Sequence, residues 1–243
     1  MTGLERPCLA ILSIGNDPAS DLYIRNKMRA CKEAGFRCQV ASFPLSCPEA
    51  MNQIHAWNQD PHVHGIIVQL PAPDADDYIN AIHPDKDVDG LGKNSSFIPC
   101  TAKGVMVMIG AVRDGECGKH AVVIGRSRLV GKPLAKLLLD ADFTVTVCHS
   151  KTQDLASITR TADVLISAAG VPNLVTADMV KPGATVIDVG INKHEGKTVG
   201  DVCFDEVKEV AGYITPVPGG VGPMTVAMLL DNTAEAFRRC DKF

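Results

Sequence analysis

Tyr23 and Lys27 stand four residues apart in a helical stretch, which puts both side chains on one face near its start. Gln69 lies at the end of an apolar strand, Gly65-Ile66-Ile67-Val68-Gln69-Leu70, where open α/β sheets place ligand-binding groups. Lys86-Asp87-Val88-Asp89-Gly90 adds two carboxylates on a loop further along. A lysine beside an amide, a tyrosine and a carboxylate can be tuned away from its solution pKa and used for proton transfer. A surface lysine on an amphipathic helix, with turn-forming aspartates ahead of Gly90, accounts for the same residues equally well.

A second set of residues suits a dinucleotide. After the strand His120-Ala121-Val122-Val123-Ile124 comes Gly125-Arg126-Ser127-Arg128-Leu129-Val130-Gly131, leading into a helix. The spacing is that of a dinucleotide-binding turn with Ser127 in place of the second glycine. Gly125 can make the tight turn, Gly131 allows close helix–strand packing, and the helix N-terminus offers N–H groups to a pyrophosphate. The next strand ends in Cys148-His149-Ser150-Lys151-Thr152, with no carboxylate until Asp154. NAD sites commonly use an acidic residue there for the ribose 2′-OH; a hydroxyl, Lys151 and Arg126 suit a 2′-phosphate instead, which favours NADP. Either cation taken alone reads as a solvated surface charge.

Thr215-Pro216-Val217-Pro218-Gly219-Gly220-Val221-Gly222-Pro223-Met224-Thr225 is a stiff stretch, poor in side chains. Its prolines fix φ and remove donors, and its glycines permit close approach, so it reads as a loop presenting backbone to a flat ligand. The helix is expected to begin after it, at Val226.

The elements that must hold these residues alternate. Leu9 to Gly15 reads as a buried strand, and a helix capped by Ser20 or Asp21 runs to Ala34 and stops at Gly35. A strand over 36–43, a helix over 48–58 and the strand ending at Gln69 complete a first series. A connecting helix is expected within 99–113. Strands over 120–125, 144–148, 164–168 and 185–190, with helices over 134–139 and 155–161, form a second series. Such alternation implies parallel, doubly wound sheets.

The chain's 243 residues, 46% hydrophobic and 21% charged, can bury a sizeable core. A formal net charge of −4 gives no electrostatic reason to expect nucleic acid or an anionic membrane as partner, and no apolar run spans a bilayer. The nine cysteines are scattered without metal-ligand spacing. Their odd number and the lack of a signal-peptide pattern point to reduced thiols and a cytoplasmic setting. Cys100, within Pro-Cys-Thr, invites a nucleophile reading, but no partner dyad lies near it in sequence, and it reads as structural.

Tyr23-Ile24-Arg25-Asn26-Lys27, Val68-Gln69-Leu70-Pro71, Lys86-Asp87-Val88-Asp89-Gly90, Pro99-Cys100-Thr101, Gly125-Arg126-Ser127 and the Pro/Gly stretch occur together and in order. In this the chain closely resembles the bifunctional methylenetetrahydrofolate dehydrogenase/methenyltetrahydrofolate cyclohydrolases, along nearly its whole length. The resemblance implies two α/β domains with a cleft between them. One is an N-terminal αβα catalytic domain (1–103 plus 219–243), and the other a Rossmann-like NAD(P)-binding domain with a parallel sheet (104–218).

It also implies roles. Lys27 is the central catalytic residue, Tyr23 positions the folate, and Gln69 bonds Lys27 and helps set its protonation state. Asp89 anchors the pterin-like ring, with Asp87 supporting the same loop and Val68 and Leu70 beside Gln69 on the substrate surface. Pro218, Gly219, Gly220, Val221 and Gly222 line the folate pocket. Gly125, Arg126, Ser127 and Ser150 bind NADP, with Ile191 at the nicotinamide end; no metal is implied. Tetrahydrofolate derivatives are the expected ligands and a homodimer the expected assembly. A single-activity methylenetetrahydrofolate dehydrogenase, with NAD or NADP, and a non-catalytic folate-binding protein are the competing readings.

Two departures stand out. The family has a further strand and long helix ahead of the Pro7-Cys8-Leu9-Ala10 strand, and a longer segment between Gly90 and Pro99, where this chain has Leu91-Gly92-Lys93-Asn94-Ser95-Ser96. The first departure is expected to uncover one apolar face of the small sheet, and the second to alter a loop beside the site.

Overall fold

The computed structural model describes residues 5–240 apart from 16, 46 and 113–117. Asn16 of the first expected turn, the Arg113 end of the expected connecting helix and Cys117 lie outside the described residues. The chain forms two compact units, Met1–Cys100 with Val226–Phe243, and Thr101–Thr225.

In the first unit, strands β1 (Cys8–Ile14), β2 (Arg37–Phe43) and β3 (Gly65–Val68) alternate with helices α1 (Pro18–Glu33), α2 (Glu49–Gln59) and α3 (Ala75–Ala81). The strands form a parallel sheet in the order β2-β1-β3, with Leu9 opposite both Cys38 and Gly65. β1 is apolar at nearly every position because both its faces are covered. Cys8, Ala10, Leu12 and Ile14 pack with Ala50, Ile54, Trp57 and Ile79 of α2 and α3. Leu9 and Ile11 pack on the other side with Ile24 and Cys31 of α1 and with Leu229 and Ala236 of the final helix. The exposure expected of this small sheet falls on its edge instead, where β2 alternates between exposed and half-buried residues and Val40 is 37% exposed.

Helix α1 starts earlier than its expected cap. Pro18 opens it, and the Asp17 carboxylate accepts from Ser20 N (3.2 Å) and Ser20 Oγ (3.0 Å). Proline suits the first turn, whose N–H groups have no partner within the helix, and aspartate supplies the missing acceptor.

The second unit is built on strands β4 (His120–Ile124), β5 (Thr144–Cys148), β6 (Val164–Ser167), β7 (Thr185–Asp188) and, beyond the short hairpin β8 (Asn192–His194) and β9 (Lys197–Val199), β10 (Tyr213–Ile214). Its parallel sheet runs β10-β7-β6-β4-β5. After β5 the chain returns to the far side of β4, so the winding direction reverses between β4 and β6, the position at which such sheets open a ligand crevice. Ala121 and Val123 face Ala102, Val105 and Ile109 of α4 (Cys100–Val112) and Leu134 and Leu138 of α5 (Gly131–Asp140). Val122 and Ile124 face the opposite core with Val175, Val180 and Val207, the last on α7 (Phe204–Val207); α6 (Leu155–Thr159) lies on that side as well.

The Pro/Gly stretch gives way to helix sooner than expected: α8 spans Val221–Cys240. Pro223 is its third residue, where a missing N–H breaks no intrahelical bond, so the proline that looked like a helix barrier is tolerated. Val221 and Gly222 therefore belong to a helix, and only Pro218, Gly219 and Gly220 to the turn.

Candidate active site

Two sets of functional side chains emerge, one in each unit. In the first, the end of β3 delivers Gln69, whose N–H continues the parallel ladder by donating to Leu12 O (2.8 Å) and whose side chain is buried. Lys27 Nζ donates to Gln69 Oε1 (2.9 Å), and Gln69 Nε2 donates to Leu70 O (2.6 Å). The second bond consumes the NH2 end of the amide and so turns its oxygen toward the lysine. Tyr23, one turn earlier on α1, is 42% exposed. Val68 is buried in the core and Leu70 is packed against it, so they support Gln69 from either side.

Asp89 is half-buried within reach of the Lys27 charge. Burial pushes its carboxyl above the usual aspartate range, while the Lys27 ammonium pulls it down. Asp87 points elsewhere. Its Oδ2 accepts from Gly92 N (2.7 Å) and its backbone O from Ser95 Oγ (3.0 Å), so it pins the short 91–96 segment in place. Burial raises its carboxyl as well, against those N–H and O–H donors.

In the second unit, the turn after β4 is cut to the width of a backbone. A Cβ on Gly125, at φ +121°, would lie 2.3 Å from Ala168 O, and one on Gly131 would lie 2.2 Å from Gly125 O. Only glycine fits either place. Ser127 Oγ accepts from Val130 N (3.1 Å) at the mouth of α5, and Gly125 N donates to Cys148 O (2.8 Å), joining the turn to the end of β5. There His149 N donates to Thr152 Oγ1 (2.9 Å), closing a tight turn that leaves Ser150 and Lys151 exposed. Arg126, Ser127 and Ile191 are exposed too, Ile191 in the loop after β7. A glycine-lined turn at a helix N-terminus, flanked by Arg126 and Lys151, fits a phosphorylated dinucleotide. Pro218, Gly219 and Gly220 lie in this unit as well.

The sequence matches the family model for the tetrahydrofolate dehydrogenase/cyclohydrolase catalytic domain over residues 2–89, and that for the NAD(P)-binding domain of the same family over residues 99–241. The chain belongs to this family. Its relatives include the bifunctional protein FolD of Burkholderia multivorans, 54% identical over 250 residues, which cover 97% of this chain and 88% of that protein. Among solved structures, the bifunctional FolD of Campylobacter jejuni superposes with a TM-score of 0.92 at 47% identity, covering 96% of this chain and 89% of that one. A Trypanosoma brucei methylenetetrahydrofolate dehydrogenase-cyclohydrolase, solved with NADP and an inhibitor, gives 0.90 at 41% identity over 97% and 88% of the two chains.

The tetrahydrofolate dehydrogenase/cyclohydrolase fold also holds two residues that the motifs do not reveal. Asp201, with no solvent exposure, accepts from Ala169 N (2.7 Å), Gly170 N (3.1 Å), Val171 N (3.0 Å), Ser167 Oγ (3.1 Å) and Asn192 Nδ2 (2.9 Å). Asp188, at the end of β7, accepts from Gly190 N (2.9 Å), Asp201 N (3.0 Å) and Val202 N (2.9 Å). Burial raises the Asp188 carboxyl, opposed by these N–H groups and reinforced by the Asp201 charge. Together they shape the loops after β6 and β7, including the one that carries Ile191. The available signal was a carboxylate within two residues of a glycine at or just past a strand, in Asp188-Val189-Gly190 and Gly200-Asp201.

Proposed function

We infer that the chain oxidises 5,10-methylenetetrahydrofolate to 5,10-methenyltetrahydrofolate with NADP and hydrolyses the product to 10-formyltetrahydrofolate. The observation that carries this reading is the Lys27–Gln69 hydrogen bond beside Asp89 in a chain of this family. Gly125, Arg126, Ser127 and Ser150 hold the cofactor, with Ile191 at its nicotinamide end. NADP, when bound, accepts the hydride released from the bridge carbon. The cation left behind is stabilised by the substrate's own N5 and N10, so the first reaction asks the protein for positioning more than for a base.

Asp89 supplies part of that positioning by accepting N–H donors of the pterin-like ring, and Tyr23 offers a flat face to the folate. Hydrolysis asks for more. Water adds to the methenyl carbon and an unprotonated Lys27 Nζ takes one of its protons; the carbinol then loses its O–H proton as the C=O forms and the C–N5 bond breaks, and N5 takes up a proton, so that one proton is released overall. Gln69 keeps the lysine aimed at that carbon by fixing one of its hydrogens.

The reading extends to a cytoplasmic homodimer. Strand β5 leaves an open sheet edge with Val147 39% exposed, a surface on which a second copy can seat, and light scattering tests it. No helix among the described residues is long and apolar enough to cross a membrane.

The decisive experiment follows methenyl formation by its ultraviolet absorbance with NADP and then NAD, and follows methenyl hydrolysis separately. NADP is expected to be preferred, and Lys27→Met to abolish hydrolysis. Full hydrolytic turnover by Lys27→Met would overturn the role of the lysine; no oxidation with either dinucleotide would favour a non-catalytic folate-binding protein.

A further inference from the structure

We propose that Asn232, on α8, is a positioning residue for the loop that carries Asp89 and thereby controls how tightly folate is held. The proposal rests on the reading of Asp89 as the anchor of the folate ring. Asn232 is 1% exposed and lies on the helix stripe that includes Leu229 and Ala236, both in the core of the first unit. Its Nδ2 donates to Val88 O (2.9 Å) and to Ile98 O (3.1 Å), and lies 3.6 Å from Cys100 Sγ. Both oxygens are carbonyls, so the NH2 end must face them, one hydrogen to each.

These carbonyls belong to the two stems of one loop. Val88 immediately precedes Asp89, and Ile98 stands two residues before Cys100. The Cys100 thiol donates to Val88 O (3.2 Å), and Cys100 N donates to Asp89 O (3.2 Å). One amide therefore clamps the stems together at the residue adjoining the carboxylate. No single-hydrogen donor can do the same, and an aspartate would present acceptors to acceptors. A rotation of the Val88 peptide would carry the Asp89 carboxylate with it, so the clamp acts on ligand geometry as well as on the fold.

The test is steady-state kinetics of the full chain carrying Asn232→Asp, with Asp89→Ala alongside and circular dichroism to confirm folding. The expected result is a KM for methylenetetrahydrofolate raised about tenfold or more, the scale of one lost buried hydrogen bond, with the KM for NADP unchanged. A merely structural role would not separate the two constants. If Asn232→Asp does not fold, Asn232→Ser, which keeps one hydroxyl donor in a smaller side chain, carries the same test. Failure of both to fold, equal rises in both KM values, or an unchanged folate KM in a folded variant while Asp89→Ala raises it, would overturn the proposal. An unchanged folate KM in Asp89→Ala would overturn the reading of Asp89 itself, and the proposal with it.

Discussion

Replacing Asp201 by Asn exchanges one carboxylate oxygen for an NH2 group at the centre of the second unit's loops. Oδ1 accepts from Val171 N and Asn192 Nδ2, and Oδ2 from Ala169 N, Gly170 N and Ser167 Oγ. Every partner is a donor, so either orientation of the amide sets donor against donor. Placing the NH2 at the Oδ1 position is the cheaper choice and loses two bonds. Each bond to a charged acceptor contributes about 1.5–3 kcal/mol, for a loss of roughly 3–6 kcal/mol. Relief of the cost of burying a charge offsets part of this, leaving a net destabilisation of about 3 kcal/mol. At about 2–4 °C per kcal/mol for a protein of this size, the melting temperature should fall by roughly 6–12 °C. Because the loop after β7 carries Ile191, the KM for NADP should rise, while hydrolysis of methenyltetrahydrofolate by the folded fraction, which uses no dinucleotide, should hold. Scanning calorimetry and the two kinetic assays read these effects. A melting temperature within about 2 °C of the parent, with an unchanged KM for NADP, would refute the claim that this carboxylate organises the loops.

Other outcomes follow from the geometry. Gly125→Ala should cost about 3 kcal/mol, from a residue held at positive φ and a Cβ driven to 2.3 Å from a backbone carbonyl. It should weaken NADP in a fluorescence titration, and wild-type affinity would contradict the cradle. The raised Asp89 carboxyl places the acid limb of kcat/KM for folate above the ordinary aspartate value of about 4, with activity lost as pH falls through it. Lys27→Met removes the neighbouring charge that favours the ionised form and should move that limb, read in the oxidation reaction, to higher pH; movement downward would refute the assignment. The folded state keeps this proton to higher pH than the unfolded state, so the first unit's stability should fall as pH rises through the same window.

The alternation of strands and helices was legible because both faces of β1 and the central strands are buried, which writes apolar runs into the sequence. The meeting of Lys27 and Gln69 was legible through motifs that the resemblance joined. Contacts that link distant positions left no local trace. Asn232 meets Val88 across 144 residues, and Asp201 meets Gly170 across 31. The early start of α8 was hidden because Pro223 looks like a breaker until its place in the first turn is known. The β8–β9 hairpin was hidden by its three-residue strands, although Glu195 and Gly196, both at positive φ, supply the expected two-residue turn.

Helix α8 begins in the unit Thr101–Thr225 and ends in the other. During synthesis the residues of the cofactor unit are therefore all made before the folate unit has its last piece. Leu229, Asn232 and Ala236 reach the ribosome exit after everything they pack against, so the folate unit stays open on one side until the closing residues emerge. A chain truncated after position 225 and released should already bind NADP and resist protease over 118–225, yet lack the clamp on the Asp89 loop. Release of the final helix is then the step that makes the molecule competent for folate.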